Sequence, residues 1–329
     1  MSIKDLFSSE EQIIGIDFNN PLRIIHAGRK RDKIIIKHIH EERLSDDIFQ
    51  GIQVSNPEPV REILKKIIKG FKLKKGKVLF SIPTQNTAIR FINFTYMPEE
   101  ELREALRWEL ERFIPFPVED VYFDYQILNI TERENIKEYQ LLLVASPSEI
   151  LNSFLNILRD LNLEPELIDI SFFCAIRTAI KEIKDIPKEL TLFIYAREKF
   201  VDLLILKNKN PLFFRSIITK NWFEDEELDE LSRSYALDEY LREIYRNINI
   251  FYSQYSEERV EKLILLGDNV LNKDFIELLE SMLGLKAEIS PLSLNELNIQ
   301  VKNKDIISIF QKELPKWSVP LGLLLWGEA

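Results

Sequence analysis

Glycine is scarce in this chain: there are nine in 329 residues, and none lies between Gly76 and Gly267. Turns that press backbone against a phosphate need a positive φ or a close approach, and glycine supplies both at the least steric cost. So long a stretch without it argues against a phosphate-cradling loop inside that stretch. Cysteine is scarcer still. Cys174 stands alone in the apolar run ISFFCAI, which excludes an internal disulfide. With only three histidines (His26, His38 and His40) beside it, a soft-metal site is not expected. His38 and His40 share one face of the alternating run IIIKHIH and read as sheet-surface residues. Positive charge is also short. The formal net charge of −10 argues against a general nucleic-acid binder, which needs a basic footprint to neutralise phosphates. No run approaches the roughly 20 apolar residues of a membrane span. The N-terminus MSIKDLFSSEEQIIGID has no basic-then-apolar leader pattern, so a soluble cytoplasmic protein is expected. The C-terminal PLGLLLW reads as a buried core helix.

What is present is an alternation of strands and helices. IIGIDF, LRIIHAG and KIIIKHI read as a strand meander, and PVREILKKIIKGF as an amphipathic helix with its lysines outward. VLFSIP and TAIRFINF follow as strands. MPEEELREALRWELERF is a helix with Glu99 to Glu101 at its N-terminus, where the macrodipole favours acids. IPFPVED stops that helix, because proline cannot continue it. Two strands joined at TEREN come next, then a helix for which Ser146 or Ser148 offers a cap, then a second helix around Cys174. LTLFIYA, KFVDLLILKN and PLFFRSIIT repeat the opening three-strand start at about half the chain's length, which hints at an internal duplication. The expected class is α/β with two related halves.

The segments SIP…AIRFINFTYMPEEELREALRWELERFIPFPVEDVYFDYQIL, LLLVASPSEILNSFLNILRDLNLEPELIDISFFCAIR and PLFFRSI…INIFYSQY…KLILLGD carry a resemblance. In order and spacing they resemble the PilM family of type IV pilus assembly proteins over nearly the whole chain. The resemblance implies an actin-like (ribonuclease H-like) two-lobed α/β fold, each lobe on a five-stranded sheet, with an FtsA-type inserted subdomain. The implied boundaries are residues 1–74 and 148–187 for lobe 1, 75–147 for the insert and 188–329 for lobe 2. It further implies a protein peripheral at the cytoplasmic face of the inner membrane. Its expected partner is the N-terminal cytoplasmic peptide of a PilN-type bitopic membrane protein, with a pilus motor ATPase as a further contact. Two alternatives are an active actin-like ATPase and a GspL-like component of type II secretion.

In an actin-like ATPase two glycine-bearing hairpins approach the phosphates, and an aspartate in each holds hydrated magnesium. The family pattern places the residual nucleotide site here at Gly15, Asp17, Asn19, Asn20, Gly267 and Asp268. Asn19 replaces a second glycine and Asp268 another. In the second hairpin Tyr195 and Arg197 stand where Asp-x-Gly is expected, and LFIYAREKF reads as a turn with solvated Arg197 and Glu198. Lys220 and Asn221 replace a further glycine pair. The expectation is therefore a pseudo-ATPase with no catalytic residues and no metal, and with ATP and Mg²⁺ doubtful as ligands. The family's peptide groove would be flanked by Ile82, Pro83, Arg90, Phe91, Phe113, Ile114, Pro115, Phe116 and Pro117. A peptide adding to a strand edge there would gain main-chain hydrogen bonds. The basic stretch Lys65–Lys77 reads as an exposed amphipathic helix, Trp108 as half-buried, and Trp222 as a contact for an undefined partner.

Overall fold

The computed structural model describes residues 10–31, 33–50, 53–71, 76–133, 136–180, 188–208, 210–219, 229–289 and 292–326. Apolar runs that alternate or are buried throughout become strands β1 (Glu11–Asp17), β2 (Leu22–Lys30) and β3 (Lys33–Glu42), an antiparallel meander. A small hairpin, β4 (Phe49–Gln50) with β5 (Gln53–Val54), leads to helix α1 (Glu58–Gly70), which buries Val60, Leu64 and Ile67. Strand β6 (Lys77–Ile82) then pairs parallel to β1. Strand β7 (Ala88–Thr95), helix α2 (Glu99–Glu109), and strands β8 (Val121–Arg133) and β9 (Ile136–Pro147) form a separate three-stranded sheet, ordered β7-β9-β8, with one helix. Helix α3 (Ser148–Asp160), strand β10 (Pro165–Ile170) and helix α4 (Ser171–Ala179) return to the first sheet.

The second half repeats the plan. Strands β11 (Thr191–Ala196), β12 (Phe200–Lys207) and β13 (Asn210–Ile218) form another antiparallel meander, followed by the long helix α5 (Glu230–Gln254). Strand β14 (Lys262–Leu266), helix α6 (Lys273–Leu283) and strand β15 (Ala287–Ile289) complete that sheet. The chain ends with β16 (Ile299–Val301), α7 (Lys304–Glu313) and α8 (Ser318–Leu324). The two sheets run β3-β2-β1-β6-β10 and β13-β12-β11-β14-β15, the same order and the same strand directions. The internal duplication is thus present strand for strand.

Three expectations change. The insert begins after β6, not at residue 75, because β6 is a buried central strand between β1 and β10. The first sheet has six strands rather than five, since β16 adds parallel to β3. Lobe 2 therefore does not run to the chain end: β16 rejoins lobe 1, and α8 packs on β1 and α4. PLGLLLW buries as expected up to Leu325, with every residue of α8 buried, but its closing Trp326 is 37% exposed. α3 takes no serine cap: its N-terminal neighbour is Pro147, and Ser148 hydrogen-bonds Asp120 instead.

The packing explains the two-lobed plan. α4 and α8 lie between the sheets, and one core joins Ile13, Ile25 and Leu79 of lobe 1 to Phe193, Leu204 and Ile264 of lobe 2. The outer face of the first sheet is covered by α1 and α3, and that of the second by α5 and α6. In the insert, Leu102, Leu106 and Leu110 are buried against Tyr139, Leu141 and Leu143. Each such leucine contributes about 1.5–3 kcal/mol on burial. Beside these helices the lobes leave a cleft, lined by the β1–β2 turn on one side and the β11–β12 turn on the other.

Candidate functional site

Both meanders end their first strand at the cleft, so residues following β1 and β11 face each other across it. A cavity of about 520 Å³ opens there, with Phe18, Asn19, Asn20, Pro83 and Asn86 on one wall and Arg197, Lys199 and Phe200 on the other.

Asp17, at the end of β1, is fully buried. Its Oδ1 accepts from the Asn19 side chain at 2.5 Å and from Ser81 Oγ at 3.2 Å, and its Oδ2 accepts from Arg197 Nη1 at 3.1 Å. Asn19 Nδ2 also reaches Ser171 Oγ at 2.7 Å, and Asn20 pairs through both side-chain atoms with the backbone of Leu44 at 2.9 Å. The turn's polar groups are thus spent within the protein. Asn19 does not use a left-handed backbone; among the described residues the non-glycine ones that do are Arg31, Asn162, Asn208 and Asn298, all at other turns.

The second hairpin corrects the sequence reading. Arg197 and Glu198 are not solvated: they are 2% and 8% exposed. Arg197 crosses the cleft, donating to Asp17, to the Asn20 carbonyl at 3.1 Å and to Tyr195 Oη at 3.0 Å, with Nε 3.4 Å from Asp268. Glu198 takes Arg43 of lobe 1 through two contacts of 2.6 and 3.1 Å. The hairpin backbone is braced from behind. Tyr240 of α5 donates to the Arg197 and Phe200 carbonyls at 3.0 and 3.1 Å, and Asn269 donates to the Arg197 carbonyl at 2.9 Å.

A second arginine makes the reverse crossing. Arg23 of β2 is 2% exposed, with Nη2 2.9 Å from Asp268 of lobe 2 and Nε 2.5 Å from Glu41. Burial alone would raise the Asp268 carboxyl, but Arg23 and Arg197 outweigh it and hold it below the usual range. Burial alone would lower Arg197, yet its neighbours Tyr195, Asp268 and Asp17 keep it firmly protonated. Burial also pushes the Tyr195 hydroxyl far up, so it stays neutral and accepts from Arg197.

The two glycines of the expected site serve packing. Gly267 has φ +97, and a Cβ there would lie 2.4 Å from the Ala196 carbonyl oxygen. A Cβ on Gly15 would lie 2.9 Å from Ile25 Cγ2 and 3.3 Å from the Pro320 carbonyl, so this glycine lets α8 lie close on β1. Of the six expected residues, Asp17, Asn19, Asn20 and Asp268 do converge at the cleft. A hydrated cation and its phosphates do not fit them as arranged: of the two hairpin carboxylates expected to hold the cation, Asp17 is bonded to the Arg197 guanidinium and the other position is Tyr195. Lys220, Asn221 and Trp222 lie outside the described residues.

The nine residues expected to flank one groove are dispersed. Ile82 is in the lobe 1 core and Pro83 lines the cleft cavity. Phe91 packs on the core between the lobes, while Phe113, Ile114 and Phe116 pack beneath the insert helix, with Pro115 and Pro117 exposed. Arg90 is exposed at the β7 edge, where partial burial and the nearby Arg215 charge lower its pKa. Trp108 is 81% exposed rather than half-buried. Sequence reasoning missed Arg23, and it missed Asp202 inside the apolar strand β12.

Comparison with known proteins follows this geometry. A family model described as type IV pilus assembly protein PilM matches residues 15–216. No curated protein matches the chain. A solved PilM–PilN type IV pilus biogenesis complex superposes with a TM-score of 0.78 at 22% identity, covering 98% of this chain and all of that one. A Bacteroides thetaiotaomicron protein with an actin-like ATPase fold superposes at 0.52 with 11% identity, covering 88% and 95%. The cytoplasmic domain of EpsL, from the type II secretion system of Vibrio cholerae, is more distant, at 0.39 and 12% identity, covering 92% and 94%. The fold is the actin-like one.

Proposed function

The chain belongs to the PilM family of type IV pilus assembly proteins, and from that premise we propose that it is a non-hydrolysing adaptor of the pilus assembly platform. In this reading it binds the N-terminal cytoplasmic peptide of a PilN-type inner-membrane protein, sits at the cytoplasmic face through that partner, and passes contact on to the pilus motor ATPase. The likeness to a PilM–PilN complex supports the choice of partner. Among the described residues no helix is long and apolar enough to cross a membrane.

The observation that carries the reading is Arg197. A protein that cycles nucleotide must keep its two cleft carboxylates available for a hydrated cation. Here Tyr195 stands where the second of those carboxylates is expected, and the first, Asp17, is held by the Arg197 guanidinium, which also lies 3.4 Å from Asp268. Titration calorimetry with the cognate N-terminal peptide should give a Kd in the micromolar range or tighter, and no heat at high protein concentration would remove the adaptor role. Millimolar ATP with Mg²⁺ should leave the melting temperature unchanged, since a ligand that binds only the folded state must raise it.

A further inference from the structure

The two buried arginines cross the cleft in opposite directions. Arg197 leaves lobe 2 to neutralise Asp17 of lobe 1, and Arg23 leaves lobe 1 to neutralise Asp268 of lobe 2. All three nitrogens of Arg197 are engaged, on Asp17, Tyr195, the Asn20 carbonyl and Asp268. Among the described residues the partners of the buried Asp268 carboxylate are the two guanidiniums, Arg23 at 2.9 Å and Arg197 at 3.4 Å, so these are its compensation. A buried carboxylate that loses its cation is strongly destabilised, and charge-assisted contacts to a planar guanidinium are the stronger class of hydrogen bond.

We propose that Arg197 is a built-in cation standing in for a metal–phosphate assembly, and that with Arg23 it holds the lobes closed without any ligand. The inference rests on the reading above only in taking the cleft to turn over no nucleotide; it does not depend on the partner. Each lobe supplies one aspartate and one arginine, so the lobes cannot part without unpairing both. Arg23, Arg197, Asp17 and Asp268 form a reciprocal exchange across the cleft, with Glu41 as a further carboxylate on Arg23. A hydrated Mg²⁺ in such a cleft would do the same work with a phosphate ligand between; here a side chain does it permanently.

The test uses the full chain with spin labels at Lys66→Cys on α1 and Glu257→Cys just beyond α5, both exposed positions, while the native Cys174 is buried. The unlocked variant is Arg197→Ala. The wild-type protein should show one narrow interlobe distance that is unchanged by millimolar Mg²⁺, Mn²⁺ or ATP. Arg197→Ala should broaden and lengthen that distance and lower the melting temperature by roughly 5 °C or more. Millimolar Mg²⁺ or Mn²⁺ should then restore part of both, because Asp17 is left buried without a cation while Asp268 keeps Arg23. Should Arg197→Ala not fold, the paired variant Asp17→Asn with Arg197→Met strands no charge, since Asp268 keeps Arg23. It should fold, open, and ignore divalent cations. An unchanged interlobe distance in whichever of these variants folds overturns the lock, as does a wild-type distance that shifts on adding Mg²⁺ and ATP. Peptide binding, measured separately by calorimetry, decides the adaptor role without bearing on these distances.

Discussion

Asp202 on β12 accepts a hydrogen bond from Ser216 on the neighbouring strand β13 at 2.5 Å, deep enough that the carboxyl is 1% exposed. No cation pairs with it among the described residues, and burial pushes its pKa up to about 7, with the Ser216 contact only partly opposing. His26 on β2 is the mirror case. Burial first, then the charges of His38 and Lys37, lowers its pKa to about 4, and its ring is stacked with His38 and Phe71 at 5.5 and 5.6 Å.

These two groups make opposite contributions to stability against pH. From its ordinary value of 3.8 up to about 7, Asp202 holds a proton in the folded state that the unfolded chain has released, so stability falls as pH rises through that window. From 6.5 down to about 4 the unfolded chain protonates His26 while the folded state does not, so stability falls as pH drops. Where the windows overlap the two slopes oppose each other. Denaturant unfolding of Asp202→Asn should therefore show stability rising with pH between about 4 and 6.5, and His26→Gln should show it falling, each with the slope of about one proton. Above pH 7.5 Asp202→Asn should exceed the wild type by a few kcal/mol, roughly. Parallel profiles for all three proteins would refute the assignment.

Much of the frame was legible because it is repetitive and local. The runs around β1 to β3 and β11 to β13 carry their strand pattern in their own residues, and the duplication followed from their spacing. The lock was not legible because its contacts are not local. Arg197 meets Asp17 180 positions away in sequence, and nothing in LFIYAREKF distinguishes a solvated arginine from one inserted across a cleft. A signal did exist. Arg197 and Asp268 each replace a residue expected to be neutral, and their charges are opposite, so the departures compensate each other. The insert boundary was misplaced because β6 and β7 are two similar apolar runs, and only pairing reveals that β6 belongs between β1 and β10. Three-residue β16 is too short for any periodicity to mark.

The brace behind the lock makes its own prediction. Tyr240 Oη contacts both the Arg197 and Phe200 carbonyls, and it is 2% exposed. Tyr240→Phe keeps the ring against Phe275 but removes the hydroxyl. The expected cost is about 1–2 kcal/mol in denaturant unfolding. Amide exchange at residues 197–200 should accelerate while that of β14 does not. A stability loss with unaltered exchange at the hairpin would place the effect elsewhere.

Trp108 projects from α2 while Leu102 and Leu106 on the same helix are buried. Truncating an exposed side chain away from any cap or ion pair typically changes stability by no more than about 0.5 kcal/mol. Trp108→Ala should therefore unfold at the wild-type denaturant midpoint, and the acrylamide-accessible fluorescence should drop. A clear destabilisation would mean that the indole packs on the insert after all.

Gly267 and Gly284 separate the two reasons a chain poor in glycine keeps the few it has. Both have positive φ, +97 and +67, but their surroundings differ. Gly284 ends α6 in open space, with nothing within 4 Å of an added Cβ, and its amide closes on the Glu280 carbonyl. Gly284→Ala should cost only the left-handed backbone penalty, about 1–2 kcal/mol. Gly267 sits where β14 passes the end of β11, and an added Cβ would meet the carbonyl oxygen, carbonyl carbon and nitrogen of Ala196 at 2.4 to 3.1 Å. Backbone cannot swing aside as a side chain can, and moving Ala196 would drag the adjoining Arg197 out of its contacts. Gly267→Ala should therefore cost more than Gly284→Ala, by at least about 2 kcal/mol, and should also widen the interlobe distance. Equal costs for the two variants would mean that Gly267 is retained for its backbone angle alone.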